Sequence, residues 1–310
     1  MPDDRGPGEC HLGRLNALAT ATEDAELEGL FRSDHYLSIG TDGGSSLDAW
    51  TTLAGLAAQT SRIKLGTMVA PATFRHPSVL AKSVVTVDHI SGGRAELGIG
   101  AGWYVDEHRA YGFAFHDTKT RMEMLEEQIE IVARSWNGGT FDLKGRHYSI
   151  VGLDALPKPV STPRPNLIVG GSGGPRTVAL CARWADEDNT VYPTIDEVRT
   201  RRHKLESAYT AEDRDPGDVV FSAMTGVVIG SDDSEVQARA RQRMALDGES
   251  GSEDEWLARA REKQIVGTVE EATDRLGQLG EAGLDRIMLQ HLLHTDVEVV
   301  ALLGEVVARL

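Results

Sequence analysis

The sequence has only two cysteines, Cys10 and Cys181, in 310 residues, so no disulfide framework braces it and the cysteine count gives no sign of secretion. It also lacks any run of 18 apolar residues, and its first ten, MPDDRGPGEC, hold nothing like the apolar stretch of a signal peptide. Positive charge is scarce: 32 Lys plus Arg against 48 Asp plus Glu leave a net charge of −16. Binding to duplex nucleic acid or to an anionic membrane needs a basic surplus, so both are excluded as general partners. No HExxH, Cys-rich cluster, P-loop or GxGxxG occurs, and His291 and His294 stand three apart after a strand pattern with no assured carboxylate partner. A metal site is therefore not expected. These absences leave a cytoplasmic protein acting on small molecules.

What the chain does have is an ordinary core-forming composition, 40% hydrophobic and 26% charged, and an excess of glycine, 33 of 310 residues against a usual share of about 7%. Short β-branched runs at 29–33, 63–70, 95–100, 166–170, 189–192, 219–229 and 286–290 alternate with helical patterns. Met122, Leu125, Ile129, Val132 and Trp136 fall on one helical stripe, and Thr268 to Glu271 reads as a capping box ahead of Val269, Ala272, Leu276 and Leu279. Such alternation predicts βαβ units and a parallel sheet, most naturally a (β/α)8 barrel, with an open doubly wound sheet as the alternative. Residues 103–165 read as a rim insertion that includes a β-hairpin turning at Lys144-Gly145, while 210–217 and the acidic stretch 247–255 read as loop.

Polar residues at the C-terminal ends of barrel strands are candidates for chemistry. Asp34-His35 follows the first run, and a histidine beside a carboxylate suits proton transfer near neutral pH; capping of the next turn is the alternative role. Arg75 is a fixed cation in the loop after Pro71. Glycines at 98, 100 and 102 clear one face of a strand end, either for a flat ligand or for a corner in the barrel. The strongest feature is 166–176, NLIVGGSGGPR: a strand, a glycine loop, then Pro175 at the first helical position. The exposed N–H groups of such a helix start form an anion site, which points to a phosphate-bearing ligand.

Taken together, RSDHYLS (32–38), TSRIKLGTMVAPATFRHP (60–77), VDHISGGRAELGIGAGW (87–103), NLIVGGSGGPRTVALCARWAD (166–186) and VGTVEEATDRLGQLGEAGLDRIML (266–289) resemble, in order, the luciferase-like flavin and deazaflavin oxidoreductases. The resemblance implies a (β/α)8 barrel over 14–310 with the cofactor ring at its C-terminal mouth. Asp34 and His35 match the family's Asp-His, with His35 near the reactive edge of the ring and held near Asp34. Met68-Val69 matches a bulged strand, often with a cis peptide bond in deazaflavin members, that supports the rear face of the ring. Gly100, Ala101, Gly102 and Asp106 match the segment bordering the ring and its ribityl chain, and Gly171, Ser172, Gly173 and Gly174 match the phosphate loop. Trp103 stands where sugar-phosphate dehydrogenases of the family have a basic-acting Glu, so it and Arg75 are expected to wall the substrate pocket.

The stretches at 50–62 and 112–127 are similar to the branch dependent on coenzyme F420, which implies hydride transfer to or from a small organic substrate. The alternatives are an FMNH2-dependent monooxygenase using O2 and a non-catalytic cofactor-binding barrel. A homodimer is implied as well. The family begins with a hydrophobic strand, yet residues 1–13 contain nothing that could form one. They are expected to be irregular, with the first strand missing or replaced and upstream coding lost or the start misassigned.

Overall fold

The computed structural model describes residues 11–37 and 46–310. The first part of the chain forms α1 (His11–Asp24), β1 (Gly29–Arg32), α2 (Ala49–Gln59), β2 (Lys64–Pro71), α3 (Pro77–Ser91) and β3 (Ala95–Gly100). A rim excursion follows: α4 (Val105–Tyr111), α5 (Thr118–Trp136), β4 (Phe141–Lys144) and β5 (Ser149–Leu153). The chain then returns through β6 (Asn166–Gly170), α6 (Pro175–Trp184), β7 (Glu187–Val191), α7 (Ile195–Ala211) and β8 (Val220–Gly230). It ends with α8 (Asp233–Asp247), α9 (Glu253–Ala260), β9 (Ile265–Thr268), α10 (Val269–Glu281), β10 (Arg286–Gln290) and α11 (Glu298–Val307).

Seven strands lie side by side in the order β1-β2-β3-β6-β7-β8-β10, each parallel to its neighbour. Their outward side chains, among them Leu65, Leu97, Leu167 and Phe221, join one core with the inner faces of the helices, from Ala19 to Val306. Burial on both faces explains why these strands read as continuous apolar runs. All seven runs expected from the sequence are strands. β4 and β5 form the expected antiparallel hairpin, and its turn is held by Glu127 of α5, whose carboxylate accepts the N–H groups of Arg146, His147 and Tyr148 at 2.7–3.0 Å. The capping box at the start of α10 is present, as is a second at Thr194 of α7.

Three readings need correction. α1 begins at His11, inside the segment expected to be irregular; residues 1–10 lie outside the described residues. The acidic stretch 247–255 is partly helical, because Ser252 caps α9 by accepting the Glu255 N–H, and Trp256 and Leu257 bury its other face. Of 210–217, expected to be loop, only 212–215 is irregular, because α7 runs on to Ala211 and a 3-10 turn spans Pro216–Asp218. Among the described residues nothing pairs with the outer edges of β1 and β10, so the sheet is not closed by hydrogen bonds there. The helical layer does close, since Gly304 of α11 lies directly against Ala25 after α1.

The N-terminal end of the barrel interior is polar. Arg286 of β10 places Nη1 2.8 Å from both Glu96 of β3 and Glu187 of β7, while its Nε reaches Glu28 at 2.8 Å across the open side of the sheet. Asn166 of β6 donates to the same two carboxylates, and the Arg286 guanidinium covers the Phe31 ring. Burial raises the pKa of Glu187, with Arg286 opposing the shift. Removing one member of a buried ionic cluster leaves its partners uncompensated and costs about 3–5 kcal/mol. Arg286→Met should therefore lower the unfolding free energy by about that amount in urea at neutral pH. The deficit should shrink on acidification as Glu187 takes up a proton; a small deficit, independent of pH, would contradict the role given to Arg286.

Candidate active site at the barrel mouth

His35 and its neighbours follow β1 at the C-terminal end of the sheet. The Asp34 carboxylate is buried and paired with both ends of the Arg75 guanidinium: Nη1 contacts Oδ2, and Nη2 lies 3.1 Å from Oδ1. Arg75 also reaches Asp48 at 2.5 Å and donates to the Tyr36 hydroxyl at 3.1 Å. Gln128 of α5 fixes the Arg75 carbonyl at 2.8 Å. Burial raises the pKa of Asp34 while Arg75 pulls it down, and burial lifts the Tyr36 phenol to about 12. Asp34 and Arg75 thus brace the strand end as a bidentate pair.

The partner of His35 is not Asp34. Its Nδ1 lies 2.9 Å from Glu107 Oε2, and Glu107 Oε1 accepts the backbone N–H groups of Tyr36 and, at 2.9 Å, Leu37. Glu107 sits in α4 and is fully buried. The imidazole meets the rings of Trp103 and Tyr104 edge-on, with centroids at 5.9 and 6.1 Å. With Nδ1 committed to the carboxylate, Nε2 has no partner among the described residues and is the nitrogen available for proton transfer. Sequence reading missed Glu107. Asp106, expected beside the cofactor ring and its ribityl chain, is exposed on the first turn of α4.

Behind this lies the β2 bulge. Thr67 pairs with Leu97 and Ala70 with Ile99, so three steps along β2 match two along β3. The extra residue lies at Met68-Val69, whose peptide bond is cis. A Cβ at Gly98, Gly100 or Gly170 would come within 3.0 Å of a Val69 methyl. These glycines therefore make room for the bulge itself and not directly for a ligand. Met68 is buried, whereas Val69 is partly exposed. Ala101 and Gly102 lead on to Trp103, which is 61% exposed.

On the far side of β2 and β3, β6 delivers the glycine loop. The Gly171 N–H donates to the Asn189 carbonyl and so belongs to the frame, whereas the N–H groups of Ser172, Gly173 and Gly174 make no hydrogen bond among the described residues. Gly174 is the N-cap of α6 without a side-chain cap, and Pro175 occupies the first turn, which leaves the helix start open to an anion. Arg201 of α7 lies beneath the loop, forked on Asp188 at 2.7 and 2.9 Å and donating to the Gly171 carbonyl at 3.1 Å. Gly173 has φ +74°, and a Cβ there would meet Arg201 Nη1 at 2.1 Å. Burial, opposed by Arg201, pushes Asp188 up to about 6.

Among the described residues no group of three or more His, Cys, Asp or Glu side chains is placed to hold a metal ion. No helix there is long and apolar enough to cross a membrane.

Comparison with known proteins places this geometry in context. The family described as luciferase-like monooxygenase matches residues 2–308. The chain is 30% identical over 173 residues to an F420-dependent glucose-6-phosphate dehydrogenase of Amycolatopsis mediterranei (strain U-32), covering 56% of this chain and 51% of the relative. It is 30% identical over 218 residues to the pyrimidine monooxygenase RutA of Pseudomonas syringae pv. syringae (strain B728a), covering 69% and 58%. The chain thus spans about half the length of the curated relatives it matches. Among solved structures, an F420-dependent secondary alcohol dehydrogenase in complex with an F420-acetone adduct superposes with a TM-score of 0.80 at 19% identity, covering 96% of this chain and 94% of that one. That likeness is one of fold.

Two outcomes follow from the site. Glu107→Ala should release the loop after β1, so that the Tyr36 and Leu37 amides exchange with solvent about tenfold faster or more, read by hydrogen exchange; unchanged protection would remove Glu107 from its place as the anchor. Asp188 has its folded pKa above its unfolded value, so its contribution to stability is full below about pH 4 and declines as the pH rises through about 6. Asp188→Asn should flatten the fall in stability across that window, measured by urea unfolding at several pH values.

Proposed function

The chain belongs to the luciferase-like monooxygenase family, and from that premise we propose that it is an oxidoreductase that holds coenzyme F420 at the barrel mouth. Its reaction is hydride transfer to or from a small organic substrate. The observation that carries this reading is the His35–Glu107 pair at a strand end, in the same mouth as the uncapped glycine loop before α6. A proton-transfer group and an anion cradle at one end of a parallel sheet are what a phosphate-tailed redox cofactor requires.

The residues present fit such a group. Ser172, Gly173 and Gly174 would hold a phosphate with their free N–H groups and the positive end of α6, and Arg201 would support the loop from beneath. Val69 and Met68 would form the wall behind the ring, with Gly100, Ala101 and Gly102 at its border. When bound, a deazaflavin supplies or accepts hydride. The chain's own part is acid-base and positional. Glu107 orients His35, Nε2 gives or takes the proton that accompanies the hydride, and Asp34 with Arg75 fixes the strand end. Trp103 and Tyr104, stacked at 5.2 Å, wall the substrate side with apolar surface.

F420 is favoured by the resemblance of 50–62 and 112–127 to that branch and by the naming of one curated relative and one fold neighbour as F420-dependent. The likeness to a pyrimidine monooxygenase over 69% of the chain favours a second reading, an FMN-dependent monooxygenase. Titration of the protein with F420 and with FMN, followed by fluorescence, separates the two; binding of neither would support a non-catalytic barrel. His35→Ala should keep cofactor affinity and lose about 100-fold or more in turnover, whereas Gly173→Ala should lose affinity through its collision with Arg201. Loss of cofactor by His35→Ala with no separate kinetic effect would contradict the proton-transfer role.

A further inference from the structure

On β10 every second side chain from Arg286 turns into the barrel, and each of the three bonds across β8 to the β7 side. Arg286 Nη1 meets Glu187 at 2.8 Å, the Asn189 amide donates to Met288 Sδ at 3.7 Å, and Gln290 Oε1 accepts the Tyr192 hydroxyl at 2.8 Å. The lower two contacts belong to the closed interior, where Asn189 also donates to Ser222 at 2.8 Å. The uppermost is left incomplete. The Gln290 amide carries two N–H groups, and neither makes a hydrogen bond among the described residues. Gln290 and Tyr192 are only half-buried, and they stand at the C-terminal strand ends, where such barrels carry their chemistry. β10 faces β1 across the open side of the sheet, which Arg286 spans to reach Glu28, so the pair shares the mouth with His35.

Tyr192 is held where a bulky residue rarely goes. Its φ is +47°, directly before Pro193, a position that favours extended backbone. Its N–H is bound to the Met224 carbonyl at 2.9 Å. Burial raises the pKa of its phenol, so the hydroxyl keeps its proton and gives it to Gln290. Strain of this kind persists where the surroundings over-determine it, and it gathers at functional positions. What it secures here is the orientation of an amide. With Oε1 turned to Tyr192, Nε2 is left as a donor, and the remaining lone pairs of Oε1 and of the Tyr192 hydroxyl lie beside it as acceptors. An uncharged donor next to an uncharged acceptor matches a neutral group that offers the reverse, a carbonyl and an N–H on one edge.

We infer that Gln290, positioned by Tyr192, is a specificity-determining residue of the mouth, and that the substrate is an uncharged molecule with an amide or lactam edge. Nε2 donates to the carbonyl oxygen of that edge, and the Gln290 and Tyr192 oxygens accept its N–H. Assigning the edge to the substrate rests on the active site proposed above. The pair is a handle and takes no part in the hydride or proton step. An analogue that lacks the N–H leaves the acceptors of the pair without a partner, which is how such a site rejects a near-isostere.

The test uses the whole chain without cofactor and compares two probes by ligand-observed NMR titration, 2-piperidone and its N-methyl derivative. The first has the carbonyl and the N–H on one edge; the second keeps only the carbonyl. Saturable binding of 2-piperidone is expected, with the N-methyl compound about tenfold weaker, the effect of losing one hydrogen bond. Gln290→Glu keeps the shape and the acceptor for Tyr192 but has no N–H to give, so it should weaken 2-piperidone about tenfold. Tyr192→Phe keeps the ring and the backbone but frees the Gln290 amide to turn over, so the preference between the probes should fall to about twofold or less. Either variant serves if the other does not fold.

Equal midpoints for the two probes in the wild type, or binding of neither, would overturn the assignment. So would a variant with a lowered Tm and an unchanged preference, because the pair would then be only a brace between β7 and β10. Neither F420 nor FMN enters the measurement. Absence of the preference in a protein that binds cofactor therefore removes the amide handle alone. A preference lost in both variants, in a protein that binds no cofactor, removes the hydride-transfer reading and leaves the handle standing.

Discussion

The Val69 side chain is the constraint around which the mouth is arranged. Its methyls fill the space that a Cβ at Gly100 or Gly170 would need, and at Gly98 they share it with the Thr67 carbonyl, 2.1 Å from such a Cβ, so the bulge dictates three glycines on two neighbouring strands. Interiors are close-packed, and there is no slack to absorb even one methyl group at such a point. The bulge turns β2 against β3 while the pairing on either side of it stays in register. It also aims the strand end toward the loop that carries Arg75, and Arg75 in turn fixes Asp34 at the end of β1. The positions of β1, β2, β3 and β6 at the mouth are thus linked through one side chain.

Much of this was legible in the sequence because strands buried on both faces leave long apolar runs, and because caps and glycine turns have short-range signatures. The capping box at Thr268 and the proline at the start of α6 are local features that tertiary packing did not override. The alternate glycines were equally visible, but their cause was not: sequence alone cannot say whether a cleared face admits a ligand or a neighbouring valine. Glu107 could not be singled out for a different reason. It adjoins Asp106 in a seven-residue helix, and only the way α4 docks decides which carboxylate turns inward. β9, four residues long, gave too short a run to distinguish from a loop.

The interior and the mouth are organised by arginines set among carboxylates: Arg75 above, Arg201 under the glycine loop, Arg286 at the opposite end. Guanidinium suits these places because its planar fork satisfies two acceptors at once and stays charged when buried. Arg94 shows the same use without any carboxylate, donating to the carbonyls of Ala57, Thr60, Ser91 and Ile63 and so stitching the ends of α2 and α3 to the strands that follow them. Such arginines bring polar groups into the barrel without leaving its backbone acceptors bare.

β8 is unusual in serving two masters along its length. Ser222 to Gly226 pair with β10 inside the main sheet, while Val227 to Gly230 pair with β9 outside it, and a small separate core of Val228, Val236, Ala240, Met244, Trp256, Leu257, Ala260 and Val266 forms around that outer half. The α8–α9 unit is therefore mounted on a continuous beam and not on a flexible joint. Any displacement of it must bend a strand whose inner half is hydrogen-bonded on both sides, so the unit behaves as a cantilever: load applied at its tip is felt at the roots of β7 and β10, where the barrel mouth begins.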